Sequence, residues 1–129
     1  MNILADTHLL VEAAGSTAGP RSRRAAALMG DPSNQIWFSA ASVWEVAIKF
    51  ALGRPDFRIE PHTLRRGLLD NGYAELPVTA EHGAAVSTLP SIHKDPFDRL
   101  LVAQAMIEGL TLLTTDATLT KYPGPILAF

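Results

Sequence analysis

The sequence contains no cysteine among its 129 residues. This absence excludes a disulfide framework, a thiolate nucleophile and any zinc or iron–sulfur centre that depends on cysteine ligands. A metal bound by this chain would have to be held by oxygen or imidazole ligands. The absence of cysteine is also compatible with a reducing compartment.

Charged residues are sparse at 19%, and the hydrophobic residues, at 47%, form no continuous run near the roughly 20 that a membrane helix needs. This composition excludes a disordered chain and a membrane channel, and it is typical of one globular domain. The start of the chain lacks basic residues and carries an acid at position 6, so we expect no signal peptide. The sequence therefore predicts a single cytoplasmic domain over residues 1–129 that makes no membrane contact.

The net charge is also small, at −2. A protein that holds nucleic acid by phosphate neutralisation alone is usually strongly basic, and this chain is not. Its arginines form two groups, which are most simply solvated helix faces but are also the available contacts for backbone phosphates. They are Arg21, Arg23 and Arg24 in the first group, and Arg54, Arg58, Arg65 and Arg66 in the second.

Short apolar segments alternate with segments of helical periodicity. Strands are predicted at 3–5, 35–38, 73–76, 111–115 and 126–129, and helices at 7–14, 20–30, 40–53, 61–71, 79–88 and 96–109, with a helical turn at 117–121. Alternation of this kind predicts an α/β fold in which a short parallel sheet has helices on both faces. Ligands of such sheets bind outside the carboxyl ends of the strands.

Two aspartates follow predicted strands directly. Asp6 follows the first strand, and Asp116 follows the strand that ends at Thr115. Each precedes a helical segment, so each is explained by itself as a helix cap whose carboxylate accepts from backbone N–H groups. If the two strands are parallel neighbours, both carboxylates also emerge at the same edge of the sheet.

A third and a fourth aspartate stand in the segment Asp95-Pro96-Phe97-Asp98, which is typical of a helix start. Asp95 is placed to cap the helix and Pro96 occupies its first position. Asp98, at the third position, suits the helix dipole. Apolar residues follow directly, so Asp98 either faces inward or pairs with Arg99 at the surface.

Glu45 has two alternative explanations. If Ser42 caps the surrounding helix, Glu45 completes a capping box. If Ser39 is the cap instead, Phe38 and Val43 take the two positions of a hydrophobic staple, and Glu45 falls inside an apolar helix. A carboxylate buried there is costly unless a cation compensates it.

Each acid has a structural explanation alone, but Asp6, Glu45, Asp98 and Asp116 together stand at strand ends or in apolar helices around one predicted sheet edge. Four clustered carboxylates repel one another and cannot all ionise without a divalent cation, so at least one should have a raised pKa. Oxygen ligands without cysteine favour Mg²⁺ or Mn²⁺ over zinc. Such a centre serves phosphodiester hydrolysis.

Other chemically active residues are interpreted as structural. His8, His62, His82 and His93 show no paired spacing for a metal, so none is given a catalytic role. Trp37 and Trp44 are expected to pack in the core. Hydroxyl groups near the predicted strand ends, such as that of Thr114, are most simply capping groups.

Four segments resemble, in the same order, those of the PIN-domain nucleases, and in particular the VapC-type toxins of bacterial toxin–antitoxin pairs. They are LADTH at 4–8, SAASVWEVAIK at 39–49, HKDPFDRLLVAQA at 93–105 and LTTD at 113–116. The resemblance spans nearly the whole chain, and the third segment is the longest and most specific. It implies a PIN-like domain in which Asp6, Glu45, Asp98 and Asp116 form the catalytic, metal-binding set. It further implies Mg²⁺ or Mn²⁺ as cofactor and endoribonuclease activity on RNA.

The same resemblance implies a homodimer and a cognate antitoxin whose C-terminal segment lies in a groove near the site and suppresses cleavage. Two alternatives stay open: a housekeeping PIN-type nuclease that processes RNA, and a catalytically silent module that binds RNA or protein. A receiver-like signalling domain ranks below these, because Lys49, Lys94 and Lys121 fall in predicted helices or loops rather than at the end of a late strand. Asp95 is interpreted as a cap, and the sequence leaves open whether it or Glu12 joins the acidic set.

Overall fold

The computed structural model describes residues 1–14 and 20–129, in which strands and helices follow the predicted order. The strands are β1 (Asn2–Ala5), β2 (Gln35–Ser39), β3 (Ala74–Leu76), β4 (Thr111–Thr114) and β5 (Ile126–Ala128). The helices are α1 (Thr7–Ala14), α2 (Pro20–Gly30), α3 (Ala40–Ala51), α4 (Pro61–Asp70), α5 (Ala80–Ala85) and α6 (Pro96–Glu108), with 3₁₀ turns at Val86–Thr88 and Ala117–Lys121. Within these described ranges, no helix has both the length and the apolar character to cross a bilayer.

The strands form one parallel sheet in the order β3-β2-β1-β4-β5. The central strand β1 pairs with β2 on one side and with β4 on the other. Ala5, the last residue of β1, is in register with Leu113 of β4. The residues that follow these two strands therefore leave the sheet side by side at its carboxyl edge, which confirms the predicted α/β class and brings Asp6 and Asp116 to that edge.

Alternate residues of β1 face two different hydrophobic cores, as the pleat of a strand requires. Ile3 and Ala5 belong to a core that includes residues of α1, α2, α3 and α4. Leu4 belongs to a second core, which is built mainly from α6. All three side chains are fully buried. Helices thus cover both faces of the sheet, as predicted.

Several predicted boundaries differ from the structure by one to a few residues. The segment predicted as one helix over 79–88 is divided into two elements. Thr79 caps the start of α5 with its side chain, and the chain tightens into a 3₁₀ turn after Ala85. The helix α6 ends at Glu108, where Gly109 adopts a φ of 69° that favours glycine. The strand β4 ends at Thr114, one residue before the predicted end.

The structure decides between the two explanations of Glu45. Ser39 caps α3, and its hydroxyl accepts from the backbone N–H of Ala41 at 3.0 Å. Glu45 consequently lies beyond the first turn of the helix and is only 2% exposed. The hydroxyl of Ser42 accepts instead from the hydroxyl of Thr7 at 2.9 Å, which joins α3 to the start of α1.

The start of α6 is built as predicted. Asp95 caps the helix with a single oxygen, Oδ1, which accepts from the backbone N–H groups of Phe97 and Asp98 at 2.8 and 3.2 Å. Pro96 occupies the first turn, where its missing N–H costs nothing. The guanidinium of Arg99 donates to the carbonyls of residues 86 and 90, so it is directed away from a surface pair with Asp98.

The expectation that both tryptophans pack in the core is wrong for Trp44, which is 62% exposed. Its ring packs edge-on against Phe97 at the start of α6, with 5.3 Å between centroids. Trp37 is half-buried against the second core, as expected. Trp44 and Ile48 of α3 and Leu52, which caps the end of this helix, recur at intervals of four residues and are all exposed, so they form an apolar stripe on its outer face.

Candidate metal centre

Asp6 lies directly after β1, and both oxygens of its carboxylate accept hydrogen bonds. Oδ1 accepts from the backbone N–H of Leu9 at 2.9 Å, and Oδ2 accepts from the hydroxyl of Thr114 at 2.5 Å. Burial raises the pKa of Asp6, and the hydrogen bonds from Thr114 and Leu9 oppose that shift. Asp6 therefore serves the start of α1, as predicted, and is at the same time a fixed carboxylate at the sheet edge.

The buried hydroxyl of Thr114 connects the two strand-end aspartates. It donates to Asp6 and accepts from the backbone N–H of Asp116 at 3.0 Å. Asp116 then caps the following 3₁₀ turn, where its Oδ1 accepts from the backbone N–H of Thr118 at 2.9 Å. A residue that the sequence explains as a simple capping group is thus the link that sets the two carboxylates beside each other.

Asp98 reaches the same place from the first turn of α6. Its Oδ2 lies 3.6 Å from Nε2 of His93, and that nitrogen lies 2.9 Å from Oδ2 of Asp116. One possible ligand atom from each of these three half-buried side chains falls within 4.8 Å of the other two. This spacing is short enough for groups that share one cation.

Asp6, Asp98 and Asp116 line a cavity of about 380 Å³. Its other walls are His8 and the segment 115–118 that begins the last 3₁₀ turn. A larger cavity of about 470 Å³ lies against α1 and α4, but Asp70 is the single acid in its lining. The smaller cavity, with three convergent carboxylates, is therefore the one whose chemistry suits a cation.

Burial and neighbouring negative charges both act on the carboxyl group of Asp98. Its pKa is raised to about 7. Burial contributes most and the charge of Asp95 comes next, while His93 opposes them and the charges of Asp6 and Glu45 add to the rise. Like-charge repulsion is thus present as expected, although desolvation contributes more.

Burial does not lead to the same result at Asp116. Burial alone would raise its pKa, but the hydrogen bonds from Thr118 and His93 outweigh burial, so the pKa is lowered. Two neighbouring carboxylates in one cavity therefore have pKa values displaced in opposite directions. Asp116 is held as an anion, whereas Asp98 keeps a proton more readily.

Glu45 approaches from α3, and its charge acts on Asp98. Its Oε2 accepts from the ammonium group of Lys49, one turn later, at 2.5 Å. The same ammonium lies 4.7 Å from the centre of the Phe57 ring. The chain itself thus supplies part of the positive charge that a buried Glu45 requires. Among the described residues, however, none donates to Oε1, although this oxygen is buried.

The donor set fits a hard divalent cation. Asp6, Glu45, Asp98 and Asp116 offer carboxylate oxygens, which Mg²⁺ and Mn²⁺ prefer. A buried carboxylate oxygen without a hydrogen bond, such as Oε1 of Glu45, is costly unless an electropositive group meets it. The carboxylate of Asp95 is occupied by its cap contacts at one oxygen, as the sequence predicts.

His93 is the residue at this site that the sequence analysis missed. The fold places its Nε2 close to both Asp98 and Asp116. In the sequence, the four histidines show no paired spacing for a metal. Its ring is oriented by the helix cap, since the backbone N–H of Asp95 donates to Nδ1 at 3.1 Å. The one available signal is its place two residues before that cap and five before Asp98.

The described arginines do not line this cavity. Arg65 donates to Glu75 at 2.6 Å, and Arg54 lies 3.7 Å from Asp56. Such exposed pairs contribute little to stability. The side chain of Arg21 lies outside the described part of the chain. Contact between the arginine groups and phosphates therefore stays a prediction.

Solved structures of several bacterial proteins share this fold over nearly the whole chain. VapBC2 from Rickettsia felis, bound to a DNA fragment from its promoter, has a TM-score of 0.73 at 14% identity and covers 100% of this chain and 99% of that chain. A toxin–antitoxin complex from Klebsiella pneumoniae has a TM-score of 0.64 at 16% identity, covering 98% and 96%. VapC20 from Mycobacterium tuberculosis, a toxin that cleaves the sarcin–ricin loop, has a TM-score of 0.62 at 16% identity, covering 98% and 88%.

At identities this low, the structural similarity establishes the fold. No curated protein matches the sequence at a significant level. The family model of the PIN domain does match, over residues 3–125. This range contains all six helices, the strands β2 to β4, most of β1 and all four acids described above, and it ends one residue before β5. By its sequence and by its fold, the chain belongs to the PIN domain family.

Proposed function

We propose that this protein is a Mg²⁺- or Mn²⁺-dependent endoribonuclease, the toxin component of a toxin–antitoxin pair. The observation that carries the proposal is the convergence of Asp6, Asp98 and Asp116 on one cavity at the carboxyl edge of the sheet, with the charge of Glu45 acting on Asp98. Membership of the PIN domain family supports it. So does the fold shared with VapC20, a toxin that cleaves the sarcin–ricin loop.

In this proposal Asp6, Glu45, Asp98 and Asp116 hold the cation. A bound divalent cation would supply an oriented water of lowered pKa and would offset negative charge on the phosphate. Hydrolysis adds water across the phosphodiester, so that one P–O bond forms while the P–O bond to the leaving oxygen breaks. The chain's own part is to present fixed carboxylates in a cavity that a phosphodiester can reach.

The four carboxylates differ in how firmly the protein holds them. Asp6 is fixed by Thr114 and by the backbone N–H of Leu9, and Asp116 is fixed at both oxygens. Glu45 is held at one oxygen by Lys49. Asp98, whose pKa is about 7, exchanges a proton near neutral pH. We therefore expect Asp98 to be the most sensitive position for both metal binding and hydrolysis.

The experiment that tests this function is cleavage of a labelled structured RNA by the purified, antitoxin-free protein in Mg²⁺, Mn²⁺ or EDTA. Asp98→Asn, purified identically, is the matched variant. Cleavage that requires both the metal and Asp98 is the expected result. An Asp98→Asn protein that is folded and still cleaves RNA would overturn the proposal.

Two related functions are distinguished by other outcomes. A folded protein that binds Mn²⁺, shown by a higher melting temperature, but cleaves no RNA would be a silent binding module. A nuclease whose expression leaves growth unaffected would be an RNA-processing enzyme. Growth arrest that is relieved when a candidate antitoxin is co-expressed is the result expected for a toxin.

The expected partners are RNA, a cognate antitoxin and a second copy of the chain, all in the cytoplasm. The structure from Klebsiella pneumoniae named above is a toxin–antitoxin complex, which supports the second of these. The apolar stripe of Trp44, Ile48 and Leu52 supports the third, since an exposed apolar helix face is a common dimer surface. Light scattering of the wild type and of Leu52→Glu would test the dimer, because only the wild type should then have twice the monomer mass.

A further inference from the structure

The two ring nitrogens of His93 have different and defined partners. Nδ1 accepts from the backbone N–H of Asp95 at 3.1 Å. An acceptor nitrogen carries no proton, so the proton of the neutral ring is on Nε2. Nε2 lies 2.9 Å from Oδ2 of Asp116, which is a hydrogen-bond distance, and 3.6 Å from Oδ2 of Asp98, which is not. The ring therefore donates to Asp116.

The loop that carries His93 is fixed at its backbone as well. The backbone N–H of His93 donates to the hydroxyl oxygen of Tyr122 at 2.8 Å. The guanidinium of Arg99 donates to the same hydroxyl at 3.1 Å and to the carbonyl of Pro90 at 3.0 Å. Tyr122 is almost fully buried. The imidazole is thus held from its own backbone, from the loop before it and from the helix after it.

This arrangement conflicts with direct coordination of a metal by His93. To coordinate through Nε2, the ring would have to move its proton to Nδ1. The Nδ1–H would then face the N–H of Asp95 across 3.1 Å, where two donors meet without an acceptor. Coordination would therefore cost the contact that orients the ring, even though the spacing of His93, Asp98 and Asp116 is short enough for a shared ion.

We infer that His93 is a positioning residue and not a metal ligand: its Nε2–H holds the carboxylate of Asp116 in place beside Asp98. The inference rests on the proposed function, since it assigns a role within the same metal centre. Asp116 receives one hydrogen bond on each oxygen, from His93 and from Thr118. Each oxygen keeps a second lone pair for a cation. A hydrogen bond of this kind beside a metal ligand fixes the ligand's orientation.

The tautomer is tested directly by NMR of the histidine side chains in the full-length, ¹⁵N-labelled protein. The expected spectrum of His93 has a pyrrole-type Nε2 and a pyridine-type Nδ1, both in EDTA and with saturating Mg²⁺ or Zn²⁺. The loss of one set of signals in His93→Gln assigns them. A pyridine-type Nε2 that becomes metal-bound would overturn the inference.

Binding of Mn²⁺ by variants, measured by calorimetry, gives a second readout that does not depend on RNA. We expect His93→Ala to weaken Mn²⁺ binding by about 10- to 100-fold, the usual cost of losing a group that orients a ligand. His93→Gln keeps an N–H donor on a side chain of similar reach, so it should stay within about 3-fold of the wild type. The control is His62→Ala, which removes another histidine that contacts a carboxylate, Glu60, at 2.7 Å.

The outcomes separate this inference from the proposed function. Equal losses in His93→Gln and His93→Ala would indicate a ligand, and wild-type affinity in His93→Ala would show that positioning is unnecessary; either result refutes the inference. Failure of the wild type to cleave RNA would refute the proposed function alone. The NMR and calorimetric results would stand in that case, because both are measured without substrate.

Discussion

Two histidine–carboxylate pairs in this protein have nearly the same local chemistry but different surroundings. His82 accepts a backbone N–H on Nδ1, from Thr79 at 3.0 Å, and its Nε2 lies 2.7 Å from Glu108. His93 repeats this arrangement with Asp95 and Asp116. In both pairs, a helix cap fixes the tautomer and the opposite nitrogen faces a carboxylate.

The difference lies in burial and in what stands beside the carboxylate. His82 is 1% exposed and joins α5 to α6, whereas the side chain of His93 is 22% exposed and lies against two acids that line a cavity. Asp116 has a second acid, Asp98, within 4.8 Å, whereas among the described residues Glu108 belongs to no such cluster of acids and histidines. The same pair therefore stabilises packing in one place and arranges charge in the other. We conclude that the second acid, rather than the histidine, distinguishes the candidate metal centre from a structural contact.

The largest effect should come from removing that second acid. Asp98→Asn should reduce metal-dependent RNA cleavage by more than about 100-fold, because the loss of groups that merely orient a ligand already costs 10- to 100-fold. Glu108→Gln, the matched change in the other pair, should leave the cleavage rate unchanged. Rates are measured under single-turnover conditions, and equal rates for Asp98→Asn and wild type would remove the distinction between the two pairs.

The second largest effect should be on the free energy of unfolding, and it should come from the pair of His82 and Glu108. His82→Ala leaves the N–H of Thr79 without its acceptor and opens a cavity, so we expect a loss of about 3 kcal/mol in the free energy of unfolding. His93→Ala should lose about 1 kcal/mol or less, because water reaches the groups that it frees. Urea unfolding in EDTA, followed by circular dichroism, measures both. Similar losses would show that His93 is also mainly structural.

The sequence predicts the helices and strands that carry the two histidine–carboxylate pairs better than it predicts the pairs themselves. Alternation of apolar and helical segments predicts a parallel sheet, and Asp6 and Asp116 then lie at one edge on the condition that β1 and β4 are parallel neighbours, which the structure shows. The helix cap at Asp95 is predicted by the proline that comes directly after it in the sequence. These features depend on local periodicity and backbone geometry, which are visible in any single segment.

The features that the sequence analysis missed depend on contacts between distant segments. His93 and Asp116 are 23 positions apart, and the Thr114 hydroxyl reaches Asp6 across 108 positions. No periodicity encodes such pairs. The burial of Glu45 was conditional on which serine caps α3, and Trp44 is exposed because its ring packs beside Phe97 rather than under the helix. Side-chain direction at a helix start is decided by these tertiary contacts.

The third prediction concerns pH and separates Asp98 from the remaining acids. Because the pKa of Asp98 is raised from 3.8 to about 7, the folded state binds more protons than the unfolded state between these values. The contribution of Asp98 to stability therefore falls as the pH rises from about 4 to about 7. A shift of this size corresponds to at most ~4 kcal/mol, and since the side chain is 21% exposed we expect ~1–2 kcal/mol.

The measurement compares unfolding of the wild type and Asp98→Asn in EDTA from pH 4 to pH 8. The variant should become relatively more stable as the pH rises. In a parallel series with Mg²⁺ in place of EDTA, this advantage should be smaller, because the cation binds the folded wild type. His82→Gln carried through the same series serves as the reference from the other pair. A difference between wild type and Asp98→Asn that does not change with pH would contradict the prediction.

The smallest effect tests whether the pair of His82 and Glu108 needs a charged carboxylate. Glu108→Gln keeps an acceptor oxygen for the Nε2–H of His82 while it removes the carboxylate charge. A hydrogen bond to a charged group is worth about 1.5–3 kcal/mol and a neutral one about 0.5–1.5, and Glu108 is partly exposed, so we expect a loss below about 1 kcal/mol. Mn²⁺ binding should be unchanged. If Glu108→Gln instead weakened Mn²⁺ binding, charge at this distant pair would have to act on the centre through α6, and the two histidine–carboxylate pairs would be parts of one network.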